Sequence, residues 1–261
     1  MMDKIYLFIE NIILKVGFEI HVQLNTLNKL FSKETYNLNK KSNSLTGEYT
    51  LGLPGSLPVF NVNALIKSLY AVNLFNCKCS SIVGFDRKNY FYSDLVKGYQ
   101  ITQKYKPIGL FGYIEFFSMY RNVLKKITIR DIHIEEDVGV ISNYFLFNNF
   151  NRSGVSLLEF VTEPIQFEGY FNPNELNLFL RCLFNQLKYL NISNCELQSG
   201  NVRLDVNISA TLRNFNQVLN IIEVKNLNSI DSAFKCIFFE LRRQIFLTRK
   251  NIPKLEYHTR N

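Results

Sequence analysis

Carboxylate and imidazole side chains recur in three short segments of this sequence whose other residues are mostly apolar. The segments are EIH at residues 19–21, HIEED at 133–137 and LLEFVTEP at 157–164. Carboxylate oxygens and imidazole nitrogens that converge from several strands would form a site for Mg²⁺ and for the phosphate groups that accompany it. The alternative is that each side chain is simply solvated on the wet face of a strand. The residue types alone do not decide between the two.

Cations and aromatic residues are interleaved in a fourth segment, FDRKNYFYSDLVKGYQ at residues 85–100. Basic side chains contact phosphates and aromatic rings stack on bases, so this mixture suits the end of a single-stranded nucleic acid. The tyrosines could equally be packing residues. The turn-rich segment LGLPGSLP at 51–58 has an ordinary structural turn as its alternative.

The composition favours a polyanionic partner. Thirty Lys+Arg stand against 22 Asp+Glu among 261 residues, which gives a net charge of +8. The alternative is the bias of an AT-rich genome, which inflates Lys and Asn. The five cysteines follow neither a zinc nor a disulfide spacing, and no apolar run approaches the ~20 residues of a membrane span. These features exclude a disulfide-stapled mini-protein and predict a soluble, cytoplasmic protein without a membrane partner.

The acidic segments need strands to position them, and the hydrophobic pattern predicts such strands. Residues 14–24 alternate strictly between apolar and polar, with Glu19 and His21 on the polar face. In residues 126–134 the alternation slips, which predicts a bulge near 130–131. Further strands are predicted at 201–210 and 218–224, with a turn at 214–216, and helices at 63–75, from the cap residue Asn172, and at 230–247. Long strands separated by single helices predict an α+β fold.

Taken in order, a series of blocks in this sequence resembles the B-subunit of the tRNA-dependent amidotransferases (GatB). The blocks are VGFEIHVQL (16–24), LGLPGSLPV (51–59), FDRKNYFYSDLVKGYQIT (85–102), HIEEDVG (133–139), NRSGVSLLEFVTEP (151–164), VRLDVNIS (202–209) and EVKNLNS (223–229). The resemblance covers nearly the whole chain from about residue 14, and chance is not a credible source of so many blocks in one order.

This resemblance implies a fold and a reaction. The implied fold is a cradle-like α+β domain of mostly antiparallel sheet with a few flanking helices. In the family, ATP phosphorylates the side-chain carboxylate of Glu on tRNA(Gln), or of Asp on tRNA(Asn), and ammonia then displaces the phosphate. The ammonia is released from glutamine by the amidase subunit of the complex, and a small third subunit wraps the other two. Because Mg²⁺ must neutralise the transferring phosphoryl group, ATP and Mg²⁺ are the implied cofactors.

The resemblance also assigns residues by their place in the motifs. Its metal or phosphate site falls on Glu19, His21, Glu136 and Glu159. Glu135 is a further metal candidate, because strand alternation places it rather than Glu136 beside His133. Contacts with the nucleotide or the tRNA terminus fall on five residues of the fourth segment, which are Arg87, Lys88, Tyr90, Tyr92 and Lys97.

Some positions depart from the family pattern. Members with a zinc ribbon carry cysteines at four positions, which are occupied here by Ser32, Glu34, Gly47 and Thr50, so no zinc is expected. The sequence ends at residue 261, where family members continue. The expectation is therefore a catalytic cradle domain over residues 1–261 without the helical and tail domains of the family.

A second function remains open beside the active enzyme. Gln198 and Ser199 stand where the family has paired glutamates, which removes negative charge. This departure favours a catalytically lapsed scaffold or tRNA-binding subunit of the same complex. The retained Glu19, His21, Glu136 and Glu159 favour the enzyme, because a pure scaffold has no reason to keep a dispersed acidic set.

Overall fold

The structure is a computed structural model that describes residues 7–37, 40–118, 122–141, 148–213, 217–227, 229–250 and 258–260. Twelve strands and three helices follow one another irregularly along this part of the chain. The strands are β1 (Leu7–Gln23), β2 (Lys78–Cys79), β3 (Asp86–Asn89), β4 (Tyr99–Thr102), β5 (Gly109–Ser118), β6 (Val123–Glu136), β7 (Ser156–Thr162), β8 (Ile165–Phe171), β9 (Val202–Leu212), β10 (Gln217–Val218), β11 (Ile222–Leu227) and β12 (His258–Arg260). The helices are α1 (Val62–Leu74), α2 (Pro173–Tyr189) and α3 (Ile230–Arg249).

Ten of these strands form one sheet with the order β12-β11-β9-β1-β7-β6-β5-β2, while β10 pairs with β9 and β8 pairs with β1. The strands β3 and β4 form a separate two-stranded hairpin. Among the described strands, β11 and β12 are parallel, and the other pairs are antiparallel. The prediction of an α+β fold with a mostly antiparallel sheet is therefore confirmed.

Strand β1 lies at the centre of the sheet because it is bonded along both edges, to β9 on one side and to β7 and β8 on the other. Its predicted alternation is present, and the inward side chains from Leu14 to Val22 are almost completely buried. The predicted bulge in β6 is also present, since its register with β7 shifts between Ile129 and Asp131.

The three helices cover the face of the sheet to which the apolar side chains of β1 point. Aromatic contacts join them to the strands, for example Phe18 with Phe179 of α2, at 6.0 Å between ring centroids. The predicted cap of α2 is confirmed, because the side chain of Asn172 accepts a hydrogen bond from the backbone of Asn174 and Pro173 follows it. The predicted turn at 214–216 lies outside the described residues.

The opposite face of the sheet receives the polar side chains of β1, including Glu19 and His21. The β3–β4 hairpin contacts the end of β6, where Gln100 Nε2 donates a hydrogen bond to the Glu136 carbonyl at 2.7 Å. Strand alternation therefore separates a packed apolar face from a face that can hold charged groups. In the described part of the chain, no helix combines the length and the apolar character needed to cross a membrane.

Candidate functional site

The strand register brings the acidic segments together in one row. His21 lies opposite Glu159 in the β1–β7 pair, and His133 lies opposite Glu159 in the β6–β7 pair. Opposed residues of antiparallel strands point to the same face, so these three side chains meet on the polar face of the sheet. Glu135 follows His133 by two residues and joins them from β6.

Three of these side chains form a compact cluster of potential metal ligands. His21 Nε2 lies 3.4 Å from Glu135 Oε1 and 3.4 Å from Glu159 Oε2. One ligand atom from each of the three residues lies within 4.8 Å of the others. We call His21, Glu135 and Glu159 the central cluster.

The central cluster fits a hard divalent cation. The second oxygen of Glu135, Oε2, is buried and has no hydrogen-bond partner among the described residues. Leaving a buried carboxylate oxygen unpaired is costly unless a donor or a cation reaches it. Two carboxylates and one imidazole are a ligand set that Mg²⁺ or Mn²⁺ accepts. These residues could therefore hold such an ion.

A second group of carboxylates lies beside the central cluster on the same face. It consists of Glu19, Asp205 and Glu223, whose ligand oxygens lie within 4.8 Å of one another. Lys225 Nζ lies 2.9 Å from Glu223 Oε1 and 3.7 Å from Asp205 Oδ2, so this group is partly neutralised within the chain. We call it the flanking cluster.

Sequence reasoning named Glu19 of the flanking cluster and missed Asp205 and Glu223. The signal for Asp205 was present, because strict alternation puts it on the polar face of the strand at 201–210. Glu223 had no such local signal. It reaches the cluster because β11 pairs with β9, which in turn pairs with β1.

The electrostatics around the central cluster favour charged imidazoles and an ionised Glu159. Burial alone would lower the pKa of His21, but the charges of Glu159 and Glu135 outweigh it and raise this pKa to about 9. Burial is likewise outweighed at His133, where hydrogen bonds to Asp131 and Glu159 raise the pKa to about 10. The same two imidazoles overcome the burial of Glu159 and hold its pKa below the usual range.

Glu136 does not join either cluster. It is 2% exposed and follows Glu135 on the strand, so its side chain points away from His21. Its two carboxylate oxygens lie 2.9 and 2.6 Å from Lys97 Nζ. Lys97 in turn lies 4.3 Å from the ring centroid of Tyr49. The structure thus places these two predicted site residues in a buried ion pair with each other.

The β3–β4 hairpin brings the basic and aromatic residues to the edge of the central cluster. Arg87 and Lys88 are exposed on β3, and Lys88 Nζ lies 5.8 Å from the ring centroid of Tyr90. Burial raises the pKa of the Tyr90 hydroxyl, and the charge of Glu135 raises it further. The charge of Lys88 contributes to lowering the pKa of Glu159. The hairpin therefore lies within electrostatic reach of the central cluster.

The tip of this hairpin presents aromatic rings to solvent. Tyr92 is 66% exposed, and the neighbouring Phe91, which was not predicted as a site residue, is 93% exposed. Tyr90 is half-buried instead and donates a hydrogen bond to Gln100 Oε1 at 3.1 Å. Of the three rings, those of Phe91 and Tyr92 are available to stack on a base.

The four positions compared with a zinc ribbon also lie together. The hydroxyls of Ser32 and Thr50 both donate to Glu34 Oε2 at 2.5 Å, and a Cβ at Gly47 would lie 1.9 Å from Glu34 Oε1. The buried Lys29 has its Nζ 3.9 Å from the same carboxylate. Hydrogen bonds and an ion pair connect these positions, which contain no thiolate or imidazole.

Comparison with known proteins identifies the family of this chain. A family model described as the GatB/GatE catalytic domain matches residues 14–261. The chain is 38% identical over 248 residues to the B-subunit of the aspartyl/glutamyl-tRNA(Asn/Gln) amidotransferase of Ureaplasma parvum serovar 3, which covers 94% of this chain and 51% of that protein. It is 40% identical over 239 residues to the protein of the same name from Finegoldia magna, with 90% and 49% covered.

A third relative, the protein of the same name from Mycoplasma capricolum subsp. capricolum, is 38% identical over 244 residues, with 93% of this chain and 50% of that protein covered. The chain thus spans about half the length of the curated relatives it matches. The match to the family model covers nearly the whole chain, which confirms the resemblance found in the sequence blocks. The chain therefore belongs to the GatB/GatE catalytic-domain family.

Proposed function

We propose that this chain carries the phosphoryl-transfer and amidation site of an aspartyl/glutamyl-tRNA(Asn/Gln) amidotransferase, an ATP-dependent ligase with glutamine as nitrogen donor. The substrate would be Glu on tRNA(Gln), Asp on tRNA(Asn), or both. The γ-phosphoryl group of ATP passes to the side-chain carboxylate, and ammonia displaces the phosphate to leave an amide. The observation that carries this proposal is that His21, Glu135 and Glu159 converge. Within this cluster the buried Oε2 atom of Glu135 has no hydrogen-bond partner among the described residues.

Each cluster has a role in this proposal. The central cluster would hold Mg²⁺ through His21, Glu135 and Glu159, and the flanking cluster offers oxygen ligands for a second ion. When bound, Mg²⁺ supplies neutralisation of the charge on the transferring phosphoryl group. The protein orients its ligands by fixing them on adjacent strands, where the register sets their spacing.

The hairpin would hold the nucleotide or the end of the tRNA. Arg87 and Lys88 are exposed cations that can contact phosphates, and Tyr92 offers an exposed ring for stacking. Tyr90 would stabilise the hairpin through its hydrogen bond to Gln100. Lys97 would support the same region through its buried pair with Glu136 rather than contact the ligand.

The partners follow from the reaction. Free ammonia must be supplied, so we infer a partner amidase subunit that releases it from glutamine, together with a small third subunit and a cytoplasmic location beside the charged tRNA. A lapsed scaffold remains the rival function. It gives no reason for the chain to gather two separate groups of carboxylates on one face, and this favours the enzyme.

Reconstituted amidation tests the proposal. The full chain is mixed with its amidase partner, misacylated tRNA, glutamine, ATP and Mg²⁺, and amidated tRNA is measured. Glu159→Gln and Glu19→Gln should each lower the rate by about 100-fold or more, because each removes a charged ligand from the phosphoryl-transfer site. Glu168→Gln is the matched control, since this carboxylate is half exposed and pairs with Arg213 away from the clusters.

The outcomes separate the two functions. An active wild-type chain with two inactive site variants and an active control supports the enzyme. Wild-type rates in both site variants would show that the clusters do not perform the chemistry. A wild-type chain that binds the amidase and tRNA but yields no amidated product would favour the scaffold.

A further inference from the structure

A chain of hydrogen bonds leads into the central cluster from β6. His133 Nδ1 lies 3.0 Å from Asp131 Oδ1, and His133 Nε2 lies 2.6 Å from Glu159 Oε2. Asp131 is itself fixed by Arg130, whose Nε donates to Asp131 Oδ2 at 2.7 Å. The imidazole therefore connects a carboxylate outside the cluster to one inside it.

His133 cannot ligate a cation in this arrangement. Both of its ring nitrogens face carboxylate oxygens, which only accept hydrogen bonds, so both nitrogens donate and neither offers a lone pair. Its side chain is 14% exposed, which leaves the ring little freedom to turn away. The contrast with His21 is clear, because His21 Nε2 is 3.4 Å from each of two cluster oxygens and makes no such short bond.

Glu159 depends on this contact for its orientation. Its Oε2 atom is 2.6 Å from His133 and 3.4 Å from His21, so the bond to His133 is the shorter restraint on the carboxylate. Groups that hydrogen-bond to a metal ligand fix its direction and commonly change metal affinity when they are removed. Sequence reasoning placed His133 in an acidic motif without giving it a task.

We infer that His133, held by Asp131, is a positioning residue that sets the Glu159 carboxylate for cation binding in the central cluster. The inference rests on the proposed function, since it concerns the same site. The inference can still fail on its own, because the central cluster could bind a cation even if the bond from His133 did not orient the Glu159 carboxylate.

Two substitutions at one position separate the bonds that His133 makes. In His133→Gln the amide nitrogen reaches the place of Nε2, so the bond to Glu159 can be kept while that to Asp131 is lost. In His133→Asn the amide nitrogen reaches the place of Nδ1, so the bond to Asp131 can be kept while that to Glu159 is lost. Both variants remove the ring and its charge, which makes each the control for the other.

The measurement is Mg²⁺ affinity of the full chain by titration calorimetry, with a melting curve for every variant. His133→Asn should weaken binding by about 10–100-fold, and His133→Gln should stay within about threefold of the wild type. If the melting curve shows that His133→Asn is unfolded, His133→Ala replaces it, with weaker binding expected because no side chain at this position then donates to Glu159.

Each outcome decides something. Equal affinities of the wild type and of His133→Asn, or of the wild type and of His133→Ala where that variant replaces it, would overturn the inference. So would a His133→Gln variant as weak as His133→Asn. A wild-type chain that binds no Mg²⁺ would instead remove the metal site itself, and with it both the proposed function and this inference.

Discussion

Mg²⁺ binding to the central cluster should depend steeply on pH through His21. A histidine ligates a metal only as the neutral imidazole, since the lone pair is otherwise occupied by a proton. Burial alone would lower the pKa of His21, but Glu159 and Glu135 outweigh it and raise the pKa to about 9. In the absence of a metal, His21 is therefore protonated at neutral pH, and the cation must displace that proton.

The size of the change in Mg²⁺ affinity follows from the difference between the pKa of His21 and the pH of the solution. A solution at pH 7 is about two pH units below the pKa of His21, so the apparent affinity should be about 100-fold weaker than above pH 9, or about 2.7 kcal/mol. Between these limits the affinity should rise about tenfold per pH unit. Glu159 adds nothing to this slope, because its lowered pKa keeps it ionised throughout.

Titration calorimetry at about pH 7, 8 and 9, in buffers of different ionisation enthalpy, measures both the affinity and the protons released. About one proton should leave per ion bound at the lower pH. His21→Gln is the control, since an amide oxygen can ligate Mg²⁺ without losing a proton and the slope should disappear. An affinity of the wild type that stays constant across this range, with no proton released, would refute the assignment of His21 as a ligand.

Three further predictions concern a buried ion pair, the packing of β5 and the β3–β4 hairpin. Lys97→Ala removes the cation paired with the buried Glu136 carboxylate and should cost about 3–5 kcal/mol of the free energy of unfolding in urea, with most of the loss recovered by adding Glu136→Gln. Gly112→Ala places a Cβ 2.1 Å from Cys77 Sγ. This substitution should lower the free energy of unfolding in urea by about 1–3 kcal/mol. An unchanged stability would contradict the close packing of Gly112 against Cys77. Arg87→Gln should make the negative slope of log K for tRNA binding against log salt shallower by about 0.7–0.9. An unchanged slope would mean that Arg87 contacts no phosphate.

Features of the fold that depend on local signals were predictable from the sequence. The alternation in residues 14–24 predicted both the strand β1 and the face on which His21 lies, because side-chain direction in a strand depends only on position. The cap at Asn172 and the bulge near Asp131 also come from short stretches of sequence. In each case the deciding interaction lies within a few residues of the signal.

The choice between Glu135 and Glu136 required long-range information. Both carboxylates follow one another in an acidic motif, and the resemblance pointed to Glu136 while strand alternation placed Glu135 beside His133. The structure places Glu135 near His21, and gives Glu136 a partner, Lys97, that lies 39 residues away in the sequence. No local pattern shows such a pair, because it depends on how the β3–β4 hairpin packs on β6.

The separation of the two faces of β1 explains why so many carboxylates can be tolerated in one site. Phe18 and Ile20 point to the packed face and contribute burial there, whereas Glu19 and His21, one residue further, point to the polar face. Charge repulsion among the carboxylates is offset by imidazoles, by Lys225 and by the hairpin cations, but the unpartnered oxygen of Glu135 is not satisfied by any described residue. A bound divalent cation would satisfy it and would bind only the folded chain. Mg²⁺ should therefore raise the free energy of unfolding of the chain, although its site lies outside the hydrophobic core.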